Sequence, residues 1–452
     1  MFKNDRMFFK EVERTANVFK SIVKEKFVRV FSHLDCDGIC AASIIFRVLL
    51  RLKANFSITF LKQLRRDWVE KLEVKPNEVY VFLDFGSGQL DYLNSIFEKT
   101  QLFILDHHFP KEVNHFNLFH LNPLLFKEED FCASVLSYWF AKFLDRKNVD
   151  LVEAALIGAI GDEMEESWKF KGRIEEIVKE GEELGRIKVT KGIRIYGKNK
   201  PIHLALAQTY DPFIPGITGS ESNAVQFLAE AGIEVSKDGR IRTLKELSLE
   251  EQKKLATAII LERLKNNLEN SEDIFGNIYI LKNFPSELND AREIATLLNA
   301  CGRLEKPYLG ILFLNKNFSL VNELLNVYEE YKQILRESLA KVKESLKEEG
   351  NLAYFINYEI KDTVLGTLTS ILLNSLGKNL ILGFTLSDGQ IKISGRTNTN
   401  INLKELIVNT LEEMQCGEGG GHAKAAGAYV PVGKEKEFIE KFKVKYYEET
   451  KS

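Results

Sequence analysis

Short apolar runs alternate with helical segments along the first third of the chain. Residues 27–31, 79–83 and 102–105 are apolar runs with the length of buried strands. Residues 39–52 and the segment LVEAALIGAI at 151–160 are predicted to be helices. Strands that alternate with helices favour an α/β fold built on a parallel sheet, and such sheets bind ligands beyond the carboxyl ends of their strands.

The pattern changes beyond residue 180. A Gly- and Lys-rich stretch (KVTKGIRIYGKNK) and a Pro- and Gly-rich loop (YDPFIPGITGSES) precede a charged helix at about residues 248–266. Residues 278–281 and 309–314 are again predicted to be strands, which gives this middle region an α/β character. From 321 to 346, apolar residues recur every three or four positions, so we predict one long amphipathic helix that bridges domains.

The chain from about residue 351 alternates strands with helices and includes the glycine cluster CGEGGGHAKAAGAYV. These patterns together predict an α/β protein of several domains. We expect a parallel-sheet domain at residues 1–190, a middle α/β region at 191–320, a bridging helix at 321–350 and a C-terminal α/β domain at 351–452.

Composition excludes several classes of protein. The 452 residues include 62 Lys and Arg against 65 Asp and Glu, so a net charge of -3 gives no global basic signature, and any path for nucleic acid must be a local patch. The first 26 residues carry charges throughout, which excludes a signal peptide or membrane span there and predicts a cytoplasmic protein. The five cysteines are scattered without a CxxC pair, so we expect buried thiols.

Acidic and histidine residues cluster where hydrophobic stretches stop. The clusters are His33, Asp35 and Asp37 in FSHLDCDG, Asp84 in VYVFLDFGSG, Asp106, His107 and His108 in LDHH, and Asp162 in ALIGAIGDEMEE. A lone aspartate after a strand is usually a turn or a helix cap, and adjacent histidines are more often surface or packing residues. Four clusters in this order, which contain three of only seven histidines, instead predict a site for two metal ions.

The donor types indicate the metal and the chemistry. Carboxylates and imidazoles without thiolates suit Mn²⁺ or Mg²⁺ better than a structural zinc ion. Two such ions, about 3.5 to 4 Å apart, can share a carboxylate, activate a water and neutralise charge on an in-line phosphoryl transition state. Asp84, alone at a strand end, is the candidate for the shared carboxylate. The clusters therefore predict metal-dependent phosphoester chemistry.

HLDCDG, LDFGSG, LDHH and GAIGD, in that order, resemble the motifs of the DHH phosphoesterase superfamily. SGRTN and GGGHAKAAG resemble the nucleic-acid-end-binding DHHA1 domain of RecJ-type exonucleases. This resemblance implies a DHH catalytic domain at 1–190 and a DHHA1 substrate-binding domain at 351–452. DPFIPGITGSES and NDAREIATLLNACGR resemble the archaeal RecJ-like group, which includes the GINS-associated nuclease and is related to an inactive subunit of the eukaryotic replicative helicase.

The resemblance also implies a role for each cluster. One ion, usually Mn²⁺ and sometimes Mg²⁺, would be held by His33, Asp35 and Asp84. The second ion would be held by Asp37, Asp84, His107 and Asp162. Asp106 would be an auxiliary ligand, and His108 would face the scissile phosphate. Asp37, Asp84 and His108 would thus be the catalytic residues.

Arg396 and the nearby glycines are candidates for substrate binding. A small-residue loop exposes backbone N–H groups to a phosphate, and a guanidinium clamps two phosphate oxygens. A lone GGG is more often a tight turn. Beside SGRT and the DHH motifs it indicates that the nucleic acid is bound by Arg396, Gly420, Gly421 and His422, whereas Gly427 is expected to permit a close backbone approach.

These inferences predict an exonuclease that hydrolyses single-stranded DNA in replication or repair and releases nucleoside monophosphates. The resemblance implies 5′ to 3′ digestion and association with the GINS complex. The alternatives are a 3′ to 5′ RNA exonuclease, a phosphodiesterase of short oligonucleotides or dinucleotides, and a replisome scaffold protein. Because the metal ligands are all intact, a purely structural role is disfavoured.

Overall fold

The apolar runs near the N-terminus form a five-stranded parallel sheet in the computed structural model of the chain, which describes residues 5–166, 169–209, 212–266, 268, 271–272 and 274–450. Its strands are β1 (Phe27–His33), β2 (Phe56–Leu61), β3 (Glu78–Leu83), β4 (Leu102–Leu105) and β5 (Leu118–Leu121). Their order is β2-β1-β3-β4-β5, and every neighbouring pair is parallel. The predicted parallel sheet is confirmed.

Helices cover both faces of this sheet. They are α1 (Asp5–Ile22), α2 (Cys36–Leu52), α3 (Arg66–Glu70), α4 (Leu90–Phe97), α5 (Ala133–Leu144), α6 (Val152–Gly161) and α7 (Gly172–Glu183). On one face, α3 and α4 pack against an aromatic layer that contains Phe31, Tyr80 and Phe82. On the other face, α2 is buried along most of its length because α5 and α6 pack against it. Apart from Glu153 in its first turn, the predicted helix α6 is apolar on all sides, as expected of a core helix.

The middle region adds two antiparallel pairs of strands and several helices. In chain order its elements are β6 (Ile187–Ile193), α8 (Ile202–Ala207), α9 (Glu221–Glu230), β7 (Ser236–Lys237), β8 (Arg240–Ile241), α10 (Leu249–Lys265), β9 (Phe275–Leu281), α11 (Ala291–Arg303) and α12 (Pro307–Leu314). β6 pairs with β9, which contains the predicted strand at 278–281, and β7 pairs with β8. Residues 210–211 of the Pro- and Gly-rich loop lie outside the described residues.

The strand predicted at residues 309–314 is wrong, because these residues belong to helix α12. A short apolar run does not by itself distinguish a buried strand from a buried helix. Pro307 occupies the first turn of α12, where its fixed φ favours a helix. Gly310 lets α12 pack closely on α2, since a Cβ at Gly310 would lie 2.7 Å from Ile39 Cγ2.

By its internal contacts the chain divides into two compact units. The first unit contains Met1–Ala205, Ala231–Ala258 and Glu272–Tyr328, and the second contains Leu206–Glu230, Ile259–Ser271 and Glu329–Ser452. The predicted long helix is confirmed as α13 (Val321–Ser345, 25 residues), which begins in the first unit and ends in the second. The division of the chain into four segments stays a prediction.

The second unit is built on a six-stranded mixed sheet. The elements after α13 are β10 (Lys347–Glu349), β11 (Leu352–Ile356), α14 (Leu365–Leu376), β12 (Leu380–Ser387), β13 (Gln390–Thr397), α15 (Leu403–Met414), β14 (Glu418–Gly421), β15 (Ala425–Pro431) and α16 (Glu435–Glu449). The strand order is β10-β11-β12-β13-β15-β14, with β14 at one edge, and only β11 and β12 are parallel neighbours. Helices α15 and α16 cover one face, and α13 and α14 cover the other.

Four cysteines are buried and Cys416 is partly buried, so the expectation of buried thiols holds for Cys36, Cys40, Cys132 and Cys301. Within the described part of the chain, no helix has both the length and the apolar composition needed to cross a membrane.

Candidate metal centre and substrate-binding residues

The candidate metal residues lie at the carboxyl edge of the parallel sheet in the first unit. His33 is the last residue of β1, Asp84 follows β3, and Asp106 follows β4. These three strands are neighbours, and because they are parallel their ends meet at one edge. Asp162 arrives at the same group of residues from the C-terminal end of α6.

The turn between β1 and α2 fixes the first carboxylate. Asp35 is the N-cap of α2, and its Oδ1 accepts a hydrogen bond from the Gly38 N–H at 3.0 Å, while its Oδ2 lies 2.8 Å from His33 Nδ1. A Cβ at Gly38 would lie 2.1 Å from His33 O, so this tight turn requires glycine. Burial disfavours a charged His33, but the charge of Asp35 and the hydrogen bonds that the imidazole donates to Asp35 and Asp84 outweigh burial and raise the pKa of His33.

Asp37 is held by the start of helix α5. Its Oδ2 accepts a hydrogen bond from the Ala133 N–H at 2.7 Å, and its Oδ1 accepts one from the Ser134 N–H at 2.9 Å. Burial and the nearby charge of Asp84 raise the pKa of Asp37 to about 6. A bound cation would stabilise the charged form of such a buried carboxylate.

Asp84 lies between two imidazoles. Its Oδ2 is 3.3 Å from His33 Nδ1, and its Oδ1 is 3.6 Å from His107 Nε2. The backbone of Asp84 has φ +65°, a left-handed conformation that few residues other than glycine adopt. The two oxygens therefore face two different groups of side chains, which is the position that a shared carboxylate requires.

Three groups of potential ligand atoms form at this edge, and within each group all atoms lie within 4.8 Å of one another. The groups are His33, Asp35 and Asp84; Asp84, His107 and His108; and Asp37, His107 and Asp162. Asp84 and His107 each belong to two groups, so the three are contiguous. Of the predicted metal residues, only Asp106 is outside these groups.

His107 and Asp162 provide a test of whether a metal would fit. His107 Nε2 and Asp162 Oδ2 are buried 3.5 Å apart, and neither atom has a hydrogen-bond partner among the described residues. Burial raises the pKa of Asp162, and the charges of Asp37 and Asp84 raise it further. Buried polar atoms normally have partners, and imidazole nitrogens and carboxylate oxygens are ligands of divalent cations. The residues therefore fit a centre for divalent cations.

Asp106 instead organises the loop that carries the two histidines. It is fully buried, and its Oδ2 accepts a hydrogen bond from the Ser87 N–H at 2.9 Å. Its Oδ1 accepts from the His107 N–H at 2.8 Å and lies 2.7 Å from His108 Nδ1. These contacts agree with an auxiliary position for Asp106, while direct ligation stays a prediction.

His108 is the exposed member of the cluster, with 46% of its side chain accessible. Burial of the rest of the ring disfavours its charged form, but the hydrogen bond and the charge of Asp106 outweigh burial and raise the pKa of His108 to about 9. A cationic imidazole that is both fixed and accessible can contact an anionic phosphate.

Sequence reasoning missed a polar network behind the loop that carries His107 and His108. Asn122 Nδ2 donates to His108 O at 2.8 Å and to Ser87 Oγ at 2.9 Å. His120 Nε2 lies 2.7 Å from the same Ser87 Oγ, and burial lowers the pKa of His120 to about 4. Asp130 Oδ1 lies 3.3 Å from His107 Nδ1 and was also missed. Ser87 follows Asp84 within the motif LDFGSG, so this serine was the sequence signal that could have indicated the network.

Helix α11 supports the same site from far along the chain. Asn299 Oδ1 accepts a hydrogen bond from the Cys36 N–H at 3.0 Å. A Cβ at Gly302 would lie 1.8 Å from Leu34 O, so only glycine lets α11 approach the turn after β1. Nothing local in the segment NDAREIATLLNACGR, which contains Asn299 and Gly302, indicates this contact.

Arg396 and His422 both lie beside Ala425, at one end of the sheet in the second unit. Arg396, on β13, is paired with Ala425 on β15, and the His422 N–H donates to Ala425 O at 2.9 Å. Arg396 Nε donates to Ser370 Oγ at 3.1 Å, which ties the guanidinium to helix α14. Ala425 therefore links the backbone of Arg396 to the backbone of His422.

The glycines were expected in a loop, but they form the edge strand β14. Gly420 is paired with Gly427, and a Cβ at Gly427 would lie 2.7 Å from Ile393 O on β13, which confirms that this glycine permits a close backbone approach. A Cβ at Gly420 would meet no atom within 4 Å, so this position is open to a ligand. Gly421, with φ +127°, ends the strand.

Comparison with known proteins finds three family domains in the chain. The DHH family N-terminal domain matches residues 27–159, the DHH-CID domain matches 195–274, and the DHHA1 domain matches 349–447. The chain therefore contains the domains of the DHH/DHHA1 phosphoesterase superfamily. This DHH/DHHA1 protein is therefore a phosphoesterase, a hydrolase with the metal-site residues of the DHH domain in place.

Relatives of this DHH/DHHA1 phosphoesterase include an uncharacterized protein of Methanocaldococcus jannaschii, 29% identical over 447 residues, or 96% of each chain. Among solved structures it is similar to Mn²⁺-bound RecJ of Thermus thermophilus, with 18% identity and a TM-score of 0.60 over 96% of this chain and 54% of that one. It is also similar to CDC45 of Entamoeba histolytica, with 14% identity and a TM-score of 0.67 over 96% and 98% of the two chains. These likenesses show a shared fold.

Proposed function

We propose that this phosphoesterase is a metal-dependent exonuclease that digests single-stranded DNA from 5′ to 3′ and releases nucleoside monophosphates in replication or repair. The observation that carries the proposal is the set of contiguous ligand groups shared through Asp84, with the accessible His108 beside them. A RecJ structure of the same fold contains Mn²⁺, and another solved exonuclease RecJ with a TM-score of 0.57 is also bound to manganese.

In this proposal two ions, Mn²⁺ or Mg²⁺, occupy the centre. The first would be held by His33, Asp35 and Asp84. The second would be held by Asp37, Asp84, His107 and Asp162. Once bound, such ions supply water activation and neutralise charge on the phosphate. The protein fixes the ligands beforehand, since the N–H groups of α5 orient Asp37 and Gly38 orients Asp35.

His108 would hold the scissile phosphate. Asp106 occupies its Nδ1, so the Nε2 side of the ring can donate to a phosphate oxygen. A donor fixed in advance stabilises charge that increases in the transition state without a cost of reorganisation at that moment. The backbone contacts of Asp106 keep the ring in place.

Arg396, Gly420, Gly421 and His422 would bind the strand of nucleic acid away from the reacting bond. A guanidinium recognises phosphate through two parallel hydrogen bonds, and an edge strand of glycines lets a sugar–phosphate backbone approach closely. Such contacts carry no base specificity, so the binding would be insensitive to sequence.

The deciding experiment is a degradation assay on matched DNA and RNA single strands, end-labelled and run with Mn²⁺ and with Mg²⁺. A bulky adduct at the 5′ end should protect DNA, and the same adduct at the 3′ end should not. Protection only by the 3′ adduct would overturn the polarity. Preference for RNA would favour the RNA exonuclease, and activity restricted to very short strands would favour an oligonucleotide phosphodiesterase.

A replisome scaffold is the second candidate, and the likeness to CDC45 favours it. In that case binding to the GINS complex would be the selected function. Association with GINS in a pull-down should then persist in a variant that lacks metal ligands, whereas a clean negative result would count against GINS binding and leave the nuclease proposal intact.

A further inference from the structure

A cavity of about 360 Å³ lies in the first unit at the far end of the helices that carry metal-site carboxylates. Ser43, Arg47 and Arg51 line it from one face of α2, at successive turns of the helix. Glu153 and Ala154 line it from the first turn of α6. A volume of this size is in the range of pockets for small molecules, about 300 to 1,000 Å³.

Cations outnumber carboxylates around this cavity. Arg51 is paired with Asp150 at 2.6 Å, which is a balanced pair. Glu153 is buried and faces two cations, Arg186 at 3.1 Å and Lys316 at 2.8 Å. One positive charge in that trio is therefore in excess.

Arg47 adds a second uncompensated charge. Its Nε and Nη2 donate to Asn315 at 2.7 and 2.9 Å, so the guanidinium is fixed without a counter-ion. Among the described residues, no carboxylate lies within 4.0 Å of Arg47 and no hydrogen bond uses its Nη1. Arg47 and Arg51 are one helical turn apart, a spacing at which like charges destabilise a helix, and Asp150 is paired with Arg51.

Two further polar groups converge on the same space. Ser43 Oγ accepts a hydrogen bond from Asn315 Nδ2 at 2.9 Å, which leaves its hydroxyl proton to donate. Lys316 lines the cavity with φ +73°, a left-handed conformation that glycine would adopt at lower cost. The chain has a lysine there, and its side chain lines the cavity.

We propose that this cavity binds a small phosphate-bearing anion, either orthophosphate or a phosphate monoester, through Arg47, Ser43 and Lys316. Guanidinium and ammonium groups with a hydroxyl donor are suited to phosphate oxygens. The site is separate from the metal centre, because Arg47 is ten residues from Asp37 along α2, or about 15 Å at the rise of an α-helix. The proposal does not depend on the exonuclease assignment.

Isothermal titration of the full-length protein in Mg²⁺ and chloride buffer tests this site, with inorganic phosphate and AMP as separate probes. Arg47→Gln should weaken phosphate binding by about tenfold or more, as expected for a lost hydrogen bond to a charged group. Asp84→Asn, which alters the metal centre, should leave this binding in place. Arg65→Gln removes the same charge outside the cavity and should have no effect.

Lys316→Gly is a second variant, because glycine suits the backbone there; it should also weaken binding while circular dichroism shows an intact fold. Equal affinity for phosphate and AMP would show that the site recognises the phosphate group alone. Tighter binding of AMP would show that the site prefers a phosphate monoester. Binding lost in Asp84→Asn but unchanged in Arg47→Gln and Lys316→Gly would place the anion at the metal centre and overturn the proposal. Absence of binding at millimolar phosphate would also overturn it.

Discussion

Asp106 Oδ1 lies 2.7 Å from His108 Nδ1, so the buried carboxylate fixes which edge of the exposed imidazole faces outward. The same Asp106 Oδ1 accepts the backbone N–H of His107, which lies among the candidate metal ligands. One carboxylate thereby sets the positions of two neighbouring side chains with different proposed roles.

His108→Ala should mainly lower kcat, by about 10²- to 10³-fold, because it removes a donor that stabilises transition-state charge. Arg396→Ala should mainly raise KM, because its proposed contact is away from the reacting phosphate. Steady-state kinetics on a single-stranded oligonucleotide separates the two effects. Equal losses of kcat with unchanged KM in both variants would place Arg396 at the reacting phosphate.

Asp84→Ala should lose bound metal and abolish hydrolysis, since it removes the carboxylate that faces both His33 and His107. Metal analysis of the purified protein and an activity assay measure both effects, and circular dichroism checks the fold. Wild-type activity should disappear on chelation and return with Mn²⁺. Near-normal cutting by Asp84→Ala, or by exhaustively chelated wild type, would contradict a two-metal mechanism.

Gly420→Ala and Gly427→Ala form a matched pair on adjacent strands. Gly427→Ala should destabilise the protein by about 1 to 3 kcal/mol, because its Cβ would press on Ile393 O. Gly420→Ala should leave stability intact, because nothing lies within 4 Å of its Cβ, and should raise KM. Urea unfolding and kinetics measure the two outcomes, and an unchanged KM for Gly420→Ala would remove Gly420 from the proposed binding surface.

His120 should make the protein sensitive to acid. Burial lowers its folded-state pKa to about 4, so the folded protein resists a proton that the unfolded chain accepts below about 6.5. The contribution is therefore fully present above pH 6.5 and is lost as the pH falls to about 4, a difference of about 3 kcal/mol. Urea unfolding of His120→Gln across this range should show a correspondingly flatter dependence on pH than wild type, and parallel curves would count against the prediction.

The edge of the parallel sheet could be predicted because its information is local. Each apolar run is followed directly by its acidic or histidine cluster, as in β4 followed by Asp106, and the rule for parallel sheets brings such ends together. The glycine cluster could also be predicted as a candidate binding site, because its signal is a short run of neighbouring residues. The ligand roles and the binding roles are still predictions.

Features that depend on distant partners could not be predicted. Residues 309–314 are apolar enough for either a strand or a helix, and the decision depends on packing of α12 against α2. Gly420 belongs to a strand only because β15 pairs with it. The contact of Asn299 with Cys36 spans 263 residues and leaves no local trace in either segment.

The hydrogen bond from Cys36 to Asn299 and the hydrogen bonds from α5 to Asp37 determine the order in which the site can form during translation. The DHH motifs leave the ribosome early, but Asp37 gains its backbone donors only once Ala133 and Ser134 have been made. The turn between β1 and α2 gains its hydrogen bond to Asn299 later still, because Asn299 is made after α5. A chain that is interrupted before α11 would contain all of the candidate metal ligands but would lack the hydrogen bond from Cys36 to Asn299. Translation would therefore have to pass helix α11 before the hydrolytic centre is completed.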